Sequence, residues 1–324
     1  MKLHRRQFLH LASAAALPII SGVAEAQTYP SRPVRVIVPF PPAGNNDLVA
    51  RLMGQWLSER LGQQFIIDNR PGAGTNIGTE AAVRAPADGY TLLIAAPPSA
   101  INATLYGKLN FNFIRDTVPV ASVLRAPFVM EVNPSLPAKT VPELIAYAKA
   151  NPGKINMASA GVGSGPHVAG ELFKMMAGVD MIHVPYRGTG PALTDLIGGQ
   201  VQIYFDAIPA SLELIKTGKL RALAVTSVTR AEVLPDIPAL SDFVPNYEAT
   251  FWAGFVAPKN IPSAIVEKLN SEINAALAAP KIKARLTEMG GSPFPSSPAQ
   301  FSSFIAEETE KWGKVVKFAG MKPG

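Results

Sequence analysis

The 324-residue chain contains no cysteine. That excludes disulfides, a thiol nucleophile, a thiolate metal site and a lipid-modified cysteine anchor, so the fold must rest on its hydrophobic core. Histidine is nearly as scarce: of four in all, His4 and His10 lie at the extreme N-terminus, which leaves His167 and His183. Two imidazoles without a thiolate do not supply a structural zinc site, and neither a metal nor a cofactor is expected. Charge is sparse as well, with 17% Asp, Glu, Lys and Arg against 48% hydrophobic residues, a globular composition without a disorder signature. The formal charge is +6, but no cluster of basic residues with interleaved aromatics is present, and nucleic acid is not an expected partner. Internal repeats, low-complexity tracts and long flexible linkers are also missing.

Nor is there an apolar run long enough to span a bilayer. Leu11 to Val23 is apolar and small, but it is shorter than the required stretch of about 20 residues and contains Pro18. Preceded by Arg5-Arg6-Gln7-Phe8-Leu9 and followed by Ala24-Glu25-Ala26, it reads as an export signal cleaved near Ala26, which places the mature protein in the periplasm. The arginine pair resembles a twin-arginine signal. His4 and His10 stand where Ser or Thr and Lys are usual, which leaves the general secretory route open. Removing residues 1–26 leaves 298 residues, and that length suggests two lobes. Lys2, Arg5 and Arg6 against Glu25 contribute +2, so the remaining chain carries +4, a modest balance that steers anions.

Two loops stand out. In Val34-Arg-Val-Ile-Val-Pro-Phe-Pro-Pro-Ala-Gly-Asn-Asn-Asp47, a β-branched run breaks into a Pro/Gly turn, after which Leu48, Val49, Leu52, Met53, Trp56 and Leu57 recur at helical spacing. Asn45 or Asn46 is placed to cap that helix, which is expected from Asp47 onward. In Ile155-Asn-Met-Ala-Ser-Ala-Gly-Val-Gly-Ser-Gly-Pro-His167, a second strand runs into small residues and then a helix. A helix N-terminus presents unpaired N–H groups and a partial positive charge, so each loop can hold an anion without Lys or Arg. Two such loops suggest two opposing walls of a cleft.

Candidate strands are Val34–Val38, Phe65–Ile67, Leu92–Ala96, Phe128–Val132, Ile155–Ala158, Met181–Val184, Ile203–Phe205, Leu220–Val225 and Phe251–Val256. Helical patterns cover Val141–Ala150, Gly170–Ala177, Ser263–Ala278 and Ala299–Val316. Nearly continuous apolar strands alternating with helices predict α/β lobes built on mostly parallel sheets.

The Pro39-Phe-Pro-Pro42 turn with Asp47 and Ala50-Arg51, Asp68-Asn-Arg-Pro-Gly-Ala-Gly74, Asp88-Gly-Tyr90, Ala158-Ser-Ala-Gly161 with His167, His183-Val-Pro-Tyr-Arg-Gly188 and Gly198-Gly-Gln-Val201 together closely resemble the Bug family. These TctC-like proteins are the solute-binding components of tripartite tricarboxylate transporters. The resemblance covers the chain after its first 27 residues, ending with Glu310-Lys-Trp-Gly-Lys-Val-Val316. It implies a two-lobed type II periplasmic-binding-protein fold with the ligand cleft between lobes. One lobe would comprise residues 28–126 and 250–324, the other residues 127–249. It also implies capture of a small carboxylate by a monomer and delivery to the membrane subunits of a tripartite carrier.

Carried onto this sequence, the resemblance makes Phe40 to Asp47 the first anion cradle, with the N–H groups of Ala43, Gly44, Asn45 and Asn46 facing one carboxylate. Ser159, Ala160, Gly161, Gly163 and Ser164 form the second. Pro98 and Ser99, the Arg187-Gly188 turn, His167, Phe251 and Asp206 surround the cleft. Asp47 and Asp206 have the wrong sign to touch an anion; Asp47 suits a helix start, and Asp206 would fix a loop or receive a ligand amine. Alternatives stand beside several of these. Arg187 equally reads as a solvated surface charge, Phe40 and Phe251 as core residues, His167 as a helix-start residue bonded to a neighbouring loop, and His183 as a satisfied buried imidazole.

The enzymatic alternative is an exported serine hydrolase using Ser164 and His167 with Asp195 or Asp206. Val162 occupies the first glycine position of a Gly-x-Ser-x-Gly elbow, which counts against it. A dinucleotide site fits no better: Pro166 replaces the last glycine of that fingerprint in one segment, and Gly72 to Gly78 is one residue too long in the other. Where the family usually has small residues this chain has Asn45 and Asn46, and Pro97-Pro98 removes two backbone donors from one wall. The expected ligand therefore has a carboxylate end and an apolar or aromatic body.

Overall fold

A computed structural model describes residues 29–323, so the arginine pair and the expected cleavage after Ala26 lie outside the described residues. The chain opens as β1 (Val34–Val38), α1 (Asn45–Leu61), β2 (Phe65–Asn69), α2 (Asn76–Val83), β3 (Thr91–Ala95), α3 (Pro97–Leu105) and α4 (Phe113–Asp116). A 16-residue strand β4 (Thr117–Val132) then leads into α5 (Val141–Ala150), β5 (Asn156–Ser159), α6 (Gly165–Ala177), β6 (Ile182–Pro185), α7 (Thr189–Ile197), β7 (Ile203–Ala207), α8 (Ile208–Lys216) and β8 (Arg221–Val225). Strand β9 (Thr250–Pro258), α9 (Ser263–Ala278), α10 (Pro280–Glu288), β10 (Ser292–Pro293) and α11 (Pro298–Phe318) complete it.

The strands run in the order β2-β1-β3-β9-β4-β7-β5-β6, with β8 and β10 pairing β4. Strand β1 is parallel to β2 and β3, and β5 is parallel to β6 and β7, as crossover helices require. Between these groups β9 lies antiparallel to β3 and β4, and β4 lies antiparallel to β7, β8 and β10. The sheet is thus mixed, which corrects the expectation of mostly parallel strands. Direction is set by connections: β4 is entered through α3 and α4, whereas β9 follows β8 through residues 226–249 without an α-helix.

Strand β4 changes partners along its length. Thr117 to Pro127 pairs β9, and from Phe128 onward it pairs β7 and β8. Only its second half was legible as a strand, because Pro119, Ser122 and Pro127 interrupt the apolar pattern of the first. Its register against β9 shifts between Pro119 and Ala121 and again between Ser122 and Leu124, and such irregularities accommodate a proline.

One buried cluster packs Val34, Val36, Val49, Met53, Leu57 and Phe255 with α9 residues such as Leu269 and Ile273. A larger one runs through both halves, joining Ile37 and Leu93 to Phe128, Met130, Phe173 and Phe205. Helix α11 closes it: Glu308, 3% exposed, accepts from Trp252 Nε1 at 3.1 Å and Trp312 Nε1 at 2.8 Å. Among the described residues no helix is long and apolar enough to cross a membrane.

Candidate functional site

The first loop delivers β1 onto α1, which starts at Asn45 rather than Asp47. Gly44 is the N-cap and no side chain caps it, so neither Asn45 nor Asn46 plays that part. Asp47 does the stabilising instead. One turn in, its Oδ2 accepts from the Ala43 N–H at 2.9 Å and from Arg51 Nε at 2.9 Å, while Oδ1 accepts from Asn69 Nδ2 at 2.9 Å. The Ala43 N–H is therefore engaged and does not face a ligand; among the described residues those of Gly44, Asn45 and Asn46 have no protein partner. Asn45 is half-buried and Asn46 is buried, its Oδ1 unpartnered. Phe40 and Phe251 are half-buried and pack on the core, and the Phe40 carbonyl accepts from Asn69 Nδ2.

The second loop carries β5 into α6, whose first turn begins at Gly165 and not Gly170. The glycines and Pro166 conceal that turn in the sequence. Ser159 is fully buried, its Oγ 2.6 Å from His183 Nε2 and accepting the Gly161 N–H at 3.1 Å, so it is unavailable to a ligand. Ser164 is the N-cap, its Oγ accepting from the His167 N–H. The Ser164 N–H bonds Gly161 O, and the Gly163 N–H bonds His167 Nδ1 at 3.1 Å. What is left outward is the set of N–H groups on Ala160, Val162 and Gly165, which have no protein partner among the described residues.

Beneath the loop, the His167 and His183 rings stack with centroids 3.6 Å apart and planes 12° from parallel. Burial and the neighbouring imidazole push His167 down to about 3, and burial pushes the half-buried His183 down to about 4. Both are neutral at ordinary pH. His167 Nδ1 accepts from a backbone N–H, which makes Nε2 the protonated nitrogen, and that atom lies 3.8 Å from Glu171. The imidazole has no free lone pair for Ser164, and the serine hydrolase reading fails on that geometry.

A cavity of about 180 Å³ opens at this loop, lined by Ala160 to Ser164 on one side and by Gly74, Thr75, Pro98, Asn102, Leu105 and Tyr106 on the other. The opposing wall is therefore the turn after β2 and the start of α3, and Phe40 to Asp47 does not line it. The motif Asp68 to Gly74 was noted in the sequence only as a likeness; Asn102 carried no signal at all. Asn102 Nδ2 donates to Gly74 O at 2.7 Å and fixes that turn. Pro97 and Pro98 occupy the first turn of α3, which cannot then offer those two N–H groups. Ser99 is buried and lines a neighbouring cavity.

Arg187 is exposed, and Gly188 precedes α7 at φ 110°. Asp206 does not reach the cavity. It is 1% exposed, with Oδ2 accepting from Ser211 Oγ at 2.8 Å and Oδ1 from Thr189 Oγ1 at 3.4 Å, and so joins the starts of α7 and α8. The same Ser211 Oγ lies 2.8 Å from Glu131 Oε1. Among the described residues no group of three or more His, Asp or Glu side chains could hold a metal.

Two strand-to-helix loops with unpartnered amides, an open cavity at the second of them and a Ser164–His167 pair that is internally satisfied define a binding protein of the two-lobed α/β class. Residues 49–321 match the family described as tripartite tricarboxylate transporter family receptor, TctC. Protein BugT of Bordetella pertussis is 38% identical over 306 residues, 94% of each chain. R. palustris Rpa4515, solved with adipate, is 37% identical with a TM-score of 0.78, covering 91% of this chain and 100% of its own. MatC (Rpa3494) from Rhodopseudomonas palustris, solved with bound malate, is 32% identical with a TM-score of 0.75, covering 89% and 100%. The chain belongs to the tripartite tricarboxylate transporter receptor family, as its loop motifs led us to expect, and is a solute-binding receptor rather than an enzyme.

Proposed function

We propose that this receptor captures a small carboxylate in the cavity under Ala160 to Ser164 and hands it, as a monomer, to the membrane subunits of a tripartite carrier. The observation that carries this reading is the pair of unpartnered N–H groups on Ala160 and Val162 in the loop that leads into α6, a helix with no acidic side chain in its first turn. The acids bound by Rpa4515 and MatC support the ligand class. The partner exchange of β4 after Pro127 and the return through β9 at Thr250 support lobes of residues 28–126 with 250–324 and residues 127–249. The mature chain starts at or next to Gln27 in the periplasm.

The ligand body is apolar. Pro98, Leu105 and Tyr106 line the cavity between the polar loop and Asn102, and a hydroxyl left against that wall without a partner costs about 1 to 3 kcal/mol. Calorimetric titration of the mature chain with adipate, succinate, malate and citrate tests this. Adipate and other unsubstituted acids should bind more tightly; hydroxy acids binding tenfold tighter, about 1.4 kcal/mol, would exclude the apolar wall as the selecting feature.

A further inference from the structure

Two buried acids in the middle of the chain take no part in the cleft. Strand β7 places Asp206 opposite Val129 of β4 and Tyr204 opposite Glu131, so the pleat brings both carboxyls to one face of the sheet. Glu131 is fully buried and Asp206 nearly so. Between them stands Ser211 of α8, its Oγ 2.8 Å from Glu131 Oε1 and 2.8 Å from Asp206 Oδ2. A hydroxyl carries one hydrogen, so it donates to only one of two carboxylates, and the other must carry a proton of its own. We propose that Glu131 and Asp206 hold one proton between them at neutral pH, and that uptake of a second locks the starts of α7 and α8 onto the sheet.

The bonds locate the first proton. Asp206 accepts from Ser211 Oγ, from the Ala207 N–H, from Thr189 Oγ1 at 3.4 Å and from Tyr204. Glu131 has the Ser211 bond alone, and its Oε2 is buried without a partner, which costs a carbonyl oxygen less than a charged one. Glu131 is therefore the acid, donating from Oε1 to Ser211, which passes its own hydrogen to Asp206. Burial and the Asp206 charge push the Glu131 carboxyl well above the ordinary range, in the same sense. The charge left on Asp206 faces Glu131 on β4, Tyr204 on β7, Thr189 on α7 and Ser211 on α8, with no cation among them. Burial without a counter-ion holds Asp206 up at about 6. A second proton removes that charge and leaves these partners bonded, since the Thr189 and Tyr204 hydroxyls accept as well as donate. Thr189 opens α7, and the residues before it lie on the cleft loop. There the Tyr186 N–H donates to Ser159 O at 2.9 Å, and a Cβ on Gly161 would come within 3.4 Å of Tyr186 O. The lock thus bears on one wall of the cleft.

Infrared spectroscopy of the mature chain reads the first proton. At pH 7 the wild type should show the C=O stretch of a buried protonated carboxyl, retained in Asp206→Asn and lost in Glu131→Gln, whose amide can donate to Ser211 instead. No such band, or one undiminished in Glu131→Gln, would overturn the shared proton. Native-state hydrogen exchange reads the second, and the wild type alone suffices if a variant does not fold. Corrected for the intrinsic pH dependence of exchange, opening of α7 should grow about tenfold per pH unit from about pH 4 to 6 and then level off. That is the slope of one proton released on opening. In Asp206→Asn the opening should not vary with pH. Opening of α7 independent of pH in the wild type, or a slope that persists in Asp206→Asn, would overturn the lock. Neither readout needs a ligand, so both stand apart from the cleft reading.

Discussion

At the first loop one carboxylate accepts hydrogen bonds from the Ala43 N–H, Arg51 and Asn69. Burial pushes the Asp47 carboxyl up, but those bonds and the Arg51 charge outweigh it and hold the group below the usual range. Its stabilisation is therefore present above the unfolded-state pKa and is lost as pH falls. Asp47→Asn should lower stability by about 1.5 to 3 kcal/mol near neutrality, and by progressively less in denaturant titrations run at more acid pH. Asp206 behaves with the opposite sign. Burial, working against bonds from Ser211, Ala207, Thr189 and Tyr204, pushes it up to about 6. The folded protein then holds a proton that the unfolded chain releases near pH 4, so this group's contribution falls as pH rises from about 4 to 6, by on the order of 3 kcal/mol. Asp206→Asn should gain on the wild type across that window, and a gap independent of pH would contradict the assignment. Which residues stood at the loops was legible in the sequence; which donors remained free was not. Ser159 and the Ala43 N–H both have the right chemistry, but each is engaged by a partner distant in sequence or one turn on, and no local pattern reveals that.

Elements with an uninterrupted period were legible to within a residue or two, as β1, α5 and α9 are. Those whose period is broken for a packing reason were not. Helix α6 hides its first turn because Gly165 and Pro166 open it, and a Cβ at Gly165 would come within 2.6 Å of Phe128 Cζ. The first half of β4 hides behind Pro119, which sits at a register shift, and behind Ser122 and Pro127. The attachment of α11 to β9 was equally invisible, since it runs through Glu308, a charged residue between two tryptophans. Glu308→Leu orphans the Trp252 and Trp312 N–H groups and removes the ion pair of Lys311, which keeps its bond to Glu248 O. Thermal or chemical unfolding of that variant should register a loss of about 3 to 5 kcal/mol. A change below 1 kcal/mol would mean that packing alone holds the helix.

For the whole molecule, the loop before α6 presents the Ala160 and Val162 amides to a cavity bounded on the far side by the turn after β2 and the start of α3. Binding that draws these walls together stabilises the fold by about 2.7 kcal/mol at a hundred times the dissociation constant. Gly163 sits at the join. Its φ is 77°, and an added Cβ would come within 2.9 Å of Leu105 Cδ2 on the opposite wall. The most direct measurement is calorimetric titration of the mature chain with adipate, for wild type and Gly163→Ala, with the ligand recovered and analysed by mass spectrometry. The account predicts saturable binding of an unaltered acid, weakened at least about tenfold in the variant. Undiminished affinity in a folded Gly163→Ala protein, or a product whose formation depends on His167, would contradict it.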